Sequence, residues 1–272
     1  MSVFCGNGFS FPLGKKTHVM GILNITPDSF SDGGKYSRVS QAVEHALKME
    51  RDGADIIDIG GQSTRPNSVR ITAAEELYRI SSIIEVLKGK ISVPISIDTF
   101  EPTVAAWCLN NGAKIINDVS GIVHLEMYKV VEKHAAGYII MHSKNLHSPI
   151  KEKLLWLANA AEAHGIKKES ICLDLGIGFN KETEDNVYLL KHLKELKPQE
   201  YPLLIGASRK RFIGVLSGEE IAAERDAGTI AAHTIAIAGG ADIIRVHNVK
   251  EAVQAARVAD KILRSTYGQN ND

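Results

Sequence analysis

Cysteine is scarce in this chain. Cys5, Cys108 and Cys172 are the only three, an odd number with no Cys-x-x-Cys spacing. That excludes a zinc-ribbon or disulfide framework and fits reduced thiols in a cytoplasmic protein. No apolar run reaches the roughly 18 residues a membrane-spanning helix needs, and the N-terminus lacks the basic-then-apolar pattern of a signal peptide. Charge of one sign is missing too: 32 basic residues balance 32 acidic ones. Without a one-signed field, neither nucleic acid nor an anionic membrane surface is expected as a partner. No linker, low-complexity tract or second core interrupts residues 1–272, so a single domain is expected.

Familiar signatures are also absent. Gly14-Lys15 lacks the earlier glycine of a phosphate-binding Walker loop, and Lys16 stands where Ser or Thr belongs. Gly176-Ile-Gly178-Phe-Asn180 lacks the third glycine of a dinucleotide fingerprint. There is no His-Glu-x-x-His and no Gly-x-Ser-x-Gly. Asn24-Ile-Thr26 reads as a glycosylation sequon, but Pro27 follows and the setting is cytoplasmic. Any chemistry must come from residues far apart in the sequence.

What is present is repetition. Eight apolar, β-branched runs end in a polar residue or glycine, or in one case just before one (Ser208): His18–Asn24, Asp55–Gly60, Pro94–Asp98, Lys114–Asp118, Gly137–His142, Ser170–Asp174, Pro202–Ala207 and Asp242–His247. Between them lie faces with helical spacing: Val39, Val43, Ala46, Leu47 and Glu50; Leu77, Ile80, Ile84 and Leu87; Leu189, Leu190, Leu193 and Leu196. Strands alternating with helices predict βαβ units and a parallel sheet. Eight of them in 272 residues fit a (β/α)₈ TIM barrel, which takes roughly 250 residues. An open doubly wound sheet is the alternative. Residues 1–16, rich in Gly and Phe, are expected to form a hairpin closing the barrel bottom, and residues 269–272 a polar tail.

In a TIM barrel the carboxyl ends of the strands form the active face. Met20-Gly-Ile-Leu-Asn-Ile-Thr-Pro-Asp-Ser-Phe-Ser-Asp-Gly-Gly34 is the clearest such end: a buried strand stops at Asn24 and opens into a polar, turn-forming loop. The strand-end residues fall into two sets. Asn24, Ser63, Thr64, Arg245 and His247 suit an anion. Arg245 and His247 alternate along one strand and so share a face. For Arg245 a core ion pair with Asp58 or Asp98 is the competing reading. Asn24 offers an oxygen to a Mg²⁺ carried by phosphate, because that ion takes few protein ligands. Asp98, Asn117 and Asp174, with Lys210, form the second set, rich in acceptors and matched to a flat heterocycle bearing N–H groups. Asp28 and Asp118 read equally well as helix caps or loop anchors, Arg211 as solvated, and His142 as either a core histidine or a ligand. The loops Ser29–Tyr36 and Gln62–Ser68 carry little apolar surface and are expected to be mobile.

Together these residues resemble dihydropteroate synthase. The resemblance rests on Met20–Gly34, Asp58-Ile-Gly-Gly-Gln-Ser-Thr-Arg-Pro66, Ile97-Asp-Thr99, Ile116-Asn-Asp118, Met141-His142, Leu173-Asp174, Gly178-Phe179, Ser208-Arg-Lys210 and Ile244-Arg-Val-His247, in order along nearly the whole chain. It implies a cytoplasmic, homodimeric transferase of folate synthesis. The reaction joins 6-hydroxymethyl-7,8-dihydropterin pyrophosphate to p-aminobenzoate, with pyrophosphate leaving before the amine attacks. Carried over position by position, it gives the pterin to Asp98, Asn117, Met141, Asp174 and Lys210. Pyrophosphate falls to Asn24, Thr64, Arg245 and His247, with Mg²⁺ on Asn24. p-Aminobenzoate, or a sulfonamide imitating it, falls to Thr64, Arg65, Pro66, Phe179 and Ser208. Asp98, Lys210, Arg245 and His247 are the implied catalytic groups. Gln62, Leu175 and Asn180 depart from the usual Glu, Pro and Gly. A pterin-binding methyltransferase domain shares the barrel and its Asp/Asn readers, but would need no pyrophosphate site.

Overall fold

The computed structural model describes residues 3–25, 35–62, 70–146 and 149–264. Eight parallel strands close into a barrel: β3 (His18–Asn24), β4 (Ile56–Gly60), β5 (Ile95–Asp98), β6 (Ile115–Asp118), β7 (Gly137–Met141), β8 (Ile171–Asp174), β9 (Leu203–Ile205) and β10 (Ile243–Val246). The order is sequential, and β10 pairs with β3 to complete the ring. Each strand expected from the sequence is there, some trimmed by one or two residues at an end. The open-sheet alternative is excluded, because no barrel strand is left with an unpaired edge.

Outside the strands run α1 (Lys35–Arg51), α2 (Ala73–Leu87), α3 (Pro102–Asn110), α4 (Leu125–Lys133), α5 (Ile150–Ala163), α6 (Thr183–Lys191), α7 (Leu193–Leu196), α8 (Arg211–Ser217), α9 (Asp226–Ala238) and α10 (Val249–Arg264). The leucine face expected around 189–196 is divided at His192, between α6 and α7. Small residues form the inner face of α10 (Ala252, Ala256 and Ala259), letting it lie close on the barrel. At its far end Asp260 accepts hydrogen bonds from the Thr17 amide (2.6 Å) and hydroxyl (2.8 Å), tying the last helix to the start of the first barrel strand.

Strand alternation sorts the core into two compartments. Ile57, Ile59, Ile97, Ile116, Tyr138, Ile140, Leu173, Leu203, Ile244 and Val246 point outward, into the layer shared with the helices. Met20, Ile56, Ile115, Ile139, Cys172, Leu204 and Ile243 point inward and fill the lower barrel, where Phe4 and Leu13 join them. These two come from the N-terminal segment, in which β1 (Val3–Gly6) and β2 (Phe9–Pro12) pair antiparallel around an Asn7-Gly8 turn. Gly8 takes φ +82°, a positive value at the second central position of the turn, where glycine is favoured. A side chain at Gly137 would meet the rings of Phe9 and Phe4 at 2.7 and 3.0 Å, so the glycine opening β7 makes room for the hairpin.

Candidate active site

The inward positions one step above that apolar plug are polar. On β4 the sequence Ile56-Ile-Asp58-Ile-Gly60 puts Asp58 on the same face as Ile56 and buries it completely, at 0% exposure. By the same period of two, Asp98 follows Ser96, Asn117 follows Ile115, Met141 follows Ile139, Asp174 follows Cys172 and Arg245 follows Ile243. Six strands thus place a polar belt, with the wall of Met141, at the carboxyl end of the barrel.

Arg245 organises the belt. Its Nε donates to Asp58 Oδ2 at 2.6 Å and its Nη2 to Asp98 Oδ2 at 2.9 Å. Asn117 Nδ2 donates to the same Asp58 oxygen at 3.2 Å. The core ion pair that competed with anion binding for Arg245 is therefore present, and with both carboxylates. Asp58 Oδ1, Asp98 Oδ1 and Asn117 Oδ1 are buried without a hydrogen-bond partner among the described residues. Burial pushes Asp98 up to about 7 against the pull of Arg245, with Asp58 and Glu76 adding repulsion. Asp174 is also raised by burial, offset by the Gly176 amide at 2.8 Å and by Lys210.

Lys210 enters from the turn after β9. Arg209 adopts φ +57°, an uncommon conformation for a non-glycine residue. Its guanidinium is held by Asp226 at 2.7 and 2.8 Å, and its amide by Thr229 at 3.0 Å. With Arg209 held outside, Lys210 turns inward. Its ammonium donates to the Ile177 carbonyl at 2.6 Å and lies 3.9 Å from the centre of the Phe179 ring. Burial lowers Lys210 to about 7, opposed chiefly by the attraction of Asp174. Above it, Ser208 Oγ and His247 Nδ1 are 2.9 Å apart, joining the ends of β9 and β10. Asn24 stands at the end of β3, and both it and Asp98 face the space over Gly60.

Asp98, Asn117, Met141, Asp174, Lys210, Phe179, Ser208, Arg245, His247 and Asn24 thus gather around one end of the barrel. Thr64, Arg65, Pro66, Ser63 and Asp28 lie outside the described residues, as does most of the two loops expected to be mobile. Arg211 is exposed, as expected of a solvated residue. Asp118 is a loop anchor, accepting from the Ser120 amide and the Tyr138 hydroxyl. His142 is buried, and both ring nitrogens lack a hydrogen-bond partner among the described residues; burial lowers it to about 4.

Three groups that sequence reasoning passed over help build the site. Lys181 Nζ donates to the carbonyls of His142 and Phe179, each at 3.1 Å, lacing the loops after β7 and β8 together. Asn186 on α6 accepts from the Gly178 amide at 2.6 Å. Glu76, buried on α2, is raised by burial to about 7 despite a hydrogen bond with Thr99. Glu76 had a signal: a charged residue beside Leu77 and Ile80 on the inner face of a helix. The departures fit locally. Asn180 takes φ +47°, where the usual glycine would be at ease and Asn is tolerated. Gln62 accepts from the Ile71 amide at 3.2 Å, and Leu175 and Ile177 are buried.

Buried acceptors on Asp58, Asp98 and Asn117, with Arg245 and Lys210 beside them, make a floor suited to a ligand edge rich in N–H groups. A family model described as pterin binding enzyme matches residues 20–247. Within that class the chain belongs to the dihydropteroate synthases, transferases that condense a pterin with p-aminobenzoate in folate synthesis. It is 43% identical over 268 residues to dihydropteroate synthase from Synechocystis, covering 93% of each chain. The structure of the Clostridium difficile dihydropteroate synthase in the presence of pteroic acid superposes with a TM-score of 0.90, at 43% identity, over 94% of this chain and all of that one. The Xanthomonas albilineans synthase in complex with 7,8-dihydropteroate gives 0.86 at 35% identity, over 96% and 98%.

Proposed function

We propose that this chain carries out the reaction with the pterin ring seated on the belt and the pyrophosphate toward the ends of β3 and β10. The observation that carries the reading is the set of buried, unpartnered acceptor oxygens on Asp98 and Asn117 beside Asp174 and Lys210. A buried acceptor without a donor is costly, and a ligand edge rich in N–H groups removes that cost. Met141 is the apolar wall. His247, Asn24 and the part of Arg245 not engaged by Asp58 and Asp98 receive the anion, together with Thr64. p-Aminobenzoate lies toward Phe179 and Ser208, with Thr64, Arg65 and Pro66.

Pyrophosphate departs first. The positive charge left on the exocyclic methylene spreads into a ring that faces Asp98 and Asp174, which stabilise it through space. The amine of p-aminobenzoate, already unprotonated at neutral pH, then forms the new C–N bond and loses a proton to solvent. No group of three or more His, Cys, Asp or Glu able to hold a metal occurs among the described residues. An ion bound by the protein alone is thus a poor fit, whereas a Mg²⁺ carried mainly by phosphate oxygens needs one or two protein ligands and suits Asn24. When bound, it neutralises charge on the leaving group.

The chain is proposed to work as a cytoplasmic homodimer. No described helix is long and apolar enough to cross a membrane. Exposed Leu216, Ile235 and Ile262, on the successive helices α8, α9 and α10, support an interface on that side of the barrel. Incubation with the pterin pyrophosphate, p-aminobenzoate and Mg²⁺ should release pyrophosphate and form dihydropteroate. Asp174→Asn should weaken pterin binding by about 1–3 kcal/mol, the cost of mispairing a buried polar group, with little change in melting temperature. Methyl transfer from a methylated folate with no pyrophosphate release would overturn the assignment.

A further inference from the structure

We infer that Asp58 is a positioning residue for pterin recognition: its carboxylate fixes which end of the Asn117 amide faces the ligand. The inference rests on the proposed seating of the pterin and adds to it a residue that need not touch the pterin. An asparagine amide has nearly the same shape in its two orientations, so only its hydrogen-bond partners select between a donor and an acceptor. At Asn117 the selector is Asp58. Its Oδ2 receives Arg245 Nε at 2.6 Å and Asn117 Nδ2 at 3.2 Å, and an oxygen receiving two donors acts as an acceptor toward both. Flipping the amide would set the Asn117 oxygen against that carboxylate oxygen.

With Nδ2 committed to Asp58, Asn117 Oδ1 is left as an acceptor, buried and without a partner among the described residues. Asp98, on the neighbouring strand and register-paired with Asn117, likewise keeps Oδ1 unpartnered while its Oδ2 is taken by Arg245. The two strands therefore present acceptor oxygens side by side. A flipped amide would replace one with a donor and turn a matched N–H edge into a clash of donors. Asp58, at 0% exposure, is the only member of the trio that solvent does not reach at all.

A role confined to neutralising Arg245 predicts something different, and a double-mutant cycle separates the two. Asp58→Leu removes the acceptor, Asn117→Ala removes the amide, and the affinity for 6-hydroxymethylpterin is measured by calorimetry. Asp58→Leu should weaken binding about tenfold in the wild-type background and less than about twofold once Asn117 is alanine, because coupled neighbours are non-additive. The KM for p-aminobenzoate should stay within about twofold, as a ligand outside the coupled group behaves independently. Asp58→Asn retains one accepting oxygen and should recover most of the affinity. If Asp58→Leu does not fold, the cycle is run with Asp58→Asn, whose smaller loss should again vanish beside Asn117→Ala. No loss of binding in a folded Asp58 variant, or the same loss in both backgrounds, would overturn the inference. Wild-type protein that fails to bind the pterin at all would instead overturn the proposed function.

Discussion

Two carboxylates bridged by one guanidinium, as Asp58 and Asp98 are by Arg245, form a unit that depends most on the shared cation. Arg245→Ala leaves both acids close together without a counter-charge, and breaking a buried pair from one side typically costs about 3–5 kcal/mol. Arg245→Ala is therefore expected to lower stability by that order in denaturant unfolding, as well as to weaken the pterin pyrophosphate. Glu76 makes a pH-dependent contribution. Its folded-state value, raised to about 7 by burial, exceeds the ordinary 4.5, so between these values the native state holds a proton that the unfolded chain has lost. The associated stability is full below about 4.5 and is lost as pH rises through 7. Glu76→Gln should flatten that part of the stability profile, by on the order of 1–3 kcal/mol in unfolding measured from pH 4 to 8. At this scale much of the site was legible. Asp98 and Asp174 end apolar runs, Asn117 and Arg245 stand within two residues of the end of theirs, and the period of two assigns their direction. Asp58 was legible only as a possible partner of Arg245, because its second bond, from Asn117, depends on where β6 lies in the closed barrel. Lys181 and Asn186 were hidden because they act on backbone groups of loops, which leave no side-chain pattern.

Among elements, the loop after β8 is the most constrained. Gly176 and Gly178 take φ +68° and +75°. A methyl group at Gly176 would stand 1.9 Å from the His142 carbonyl oxygen, whereas at Gly178 its nearest neighbour is Lys210 Cδ at 2.4 Å. Backbone yields poorly and a lysine stem yields readily, so the two alanine variants should fail differently. Each bears roughly 1–2 kcal/mol for the left-handed conformation. Gly176→Ala should add a further loss of stability, seen as a lower melting temperature. Gly178→Ala should displace Lys210 and show mainly as weaker pterin binding in calorimetry. Comparable melting temperatures with equal binding losses would contradict this division. The two glycines of this loop stand out in the sequence, but the positive φ at Asn180 and the break at His192 depend on tertiary contacts that periodicity does not encode. Strands were easier to read than helix ends, because five of the eight barrel strands end in a polar residue or glycine and the other three stop just before one.

Across the whole molecule, the ring of strands has two differently filled ends. Aromatic and aliphatic groups seal the lower one, with Phe4 of the hairpin fully buried among Met20, Ile56 and Ile139. Phe4→Ala should cost about 3–5 kcal/mol, the range for emptying a buried phenylalanine site. Pterin affinity of the folded fraction should be unchanged, because the belt lies a layer above. Equilibrium unfolding together with calorimetry checks both parts, and a large affinity loss in folded protein would show that plug and belt are coupled. The barrel itself could be read from the number and spacing of the runs. Its closure between β10 and β3 followed only from the count of eight, since no local signal pairs the first and last strands.

That closure has a consequence for how the protein comes into being. Arg245 lies 187 residues after Asp58 and 147 after Asp98. During synthesis from the N-terminus, both acids and the seven barrel strands before β10 emerge well before the cation that makes their burial tolerable. A sheet of those seven strands would carry two open edges, at β3 and β9, and two converging acids, so it gains little by compacting early. The arrival of β10 supplies the missing hydrogen-bond ladder and the missing charge in one event. Such long-range contacts make folding slow but late and collective. Chains interrupted or miscopied near the end should therefore remain recognisably unfinished to the cell's degradation machinery, rather than accumulating as folded but inactive barrels.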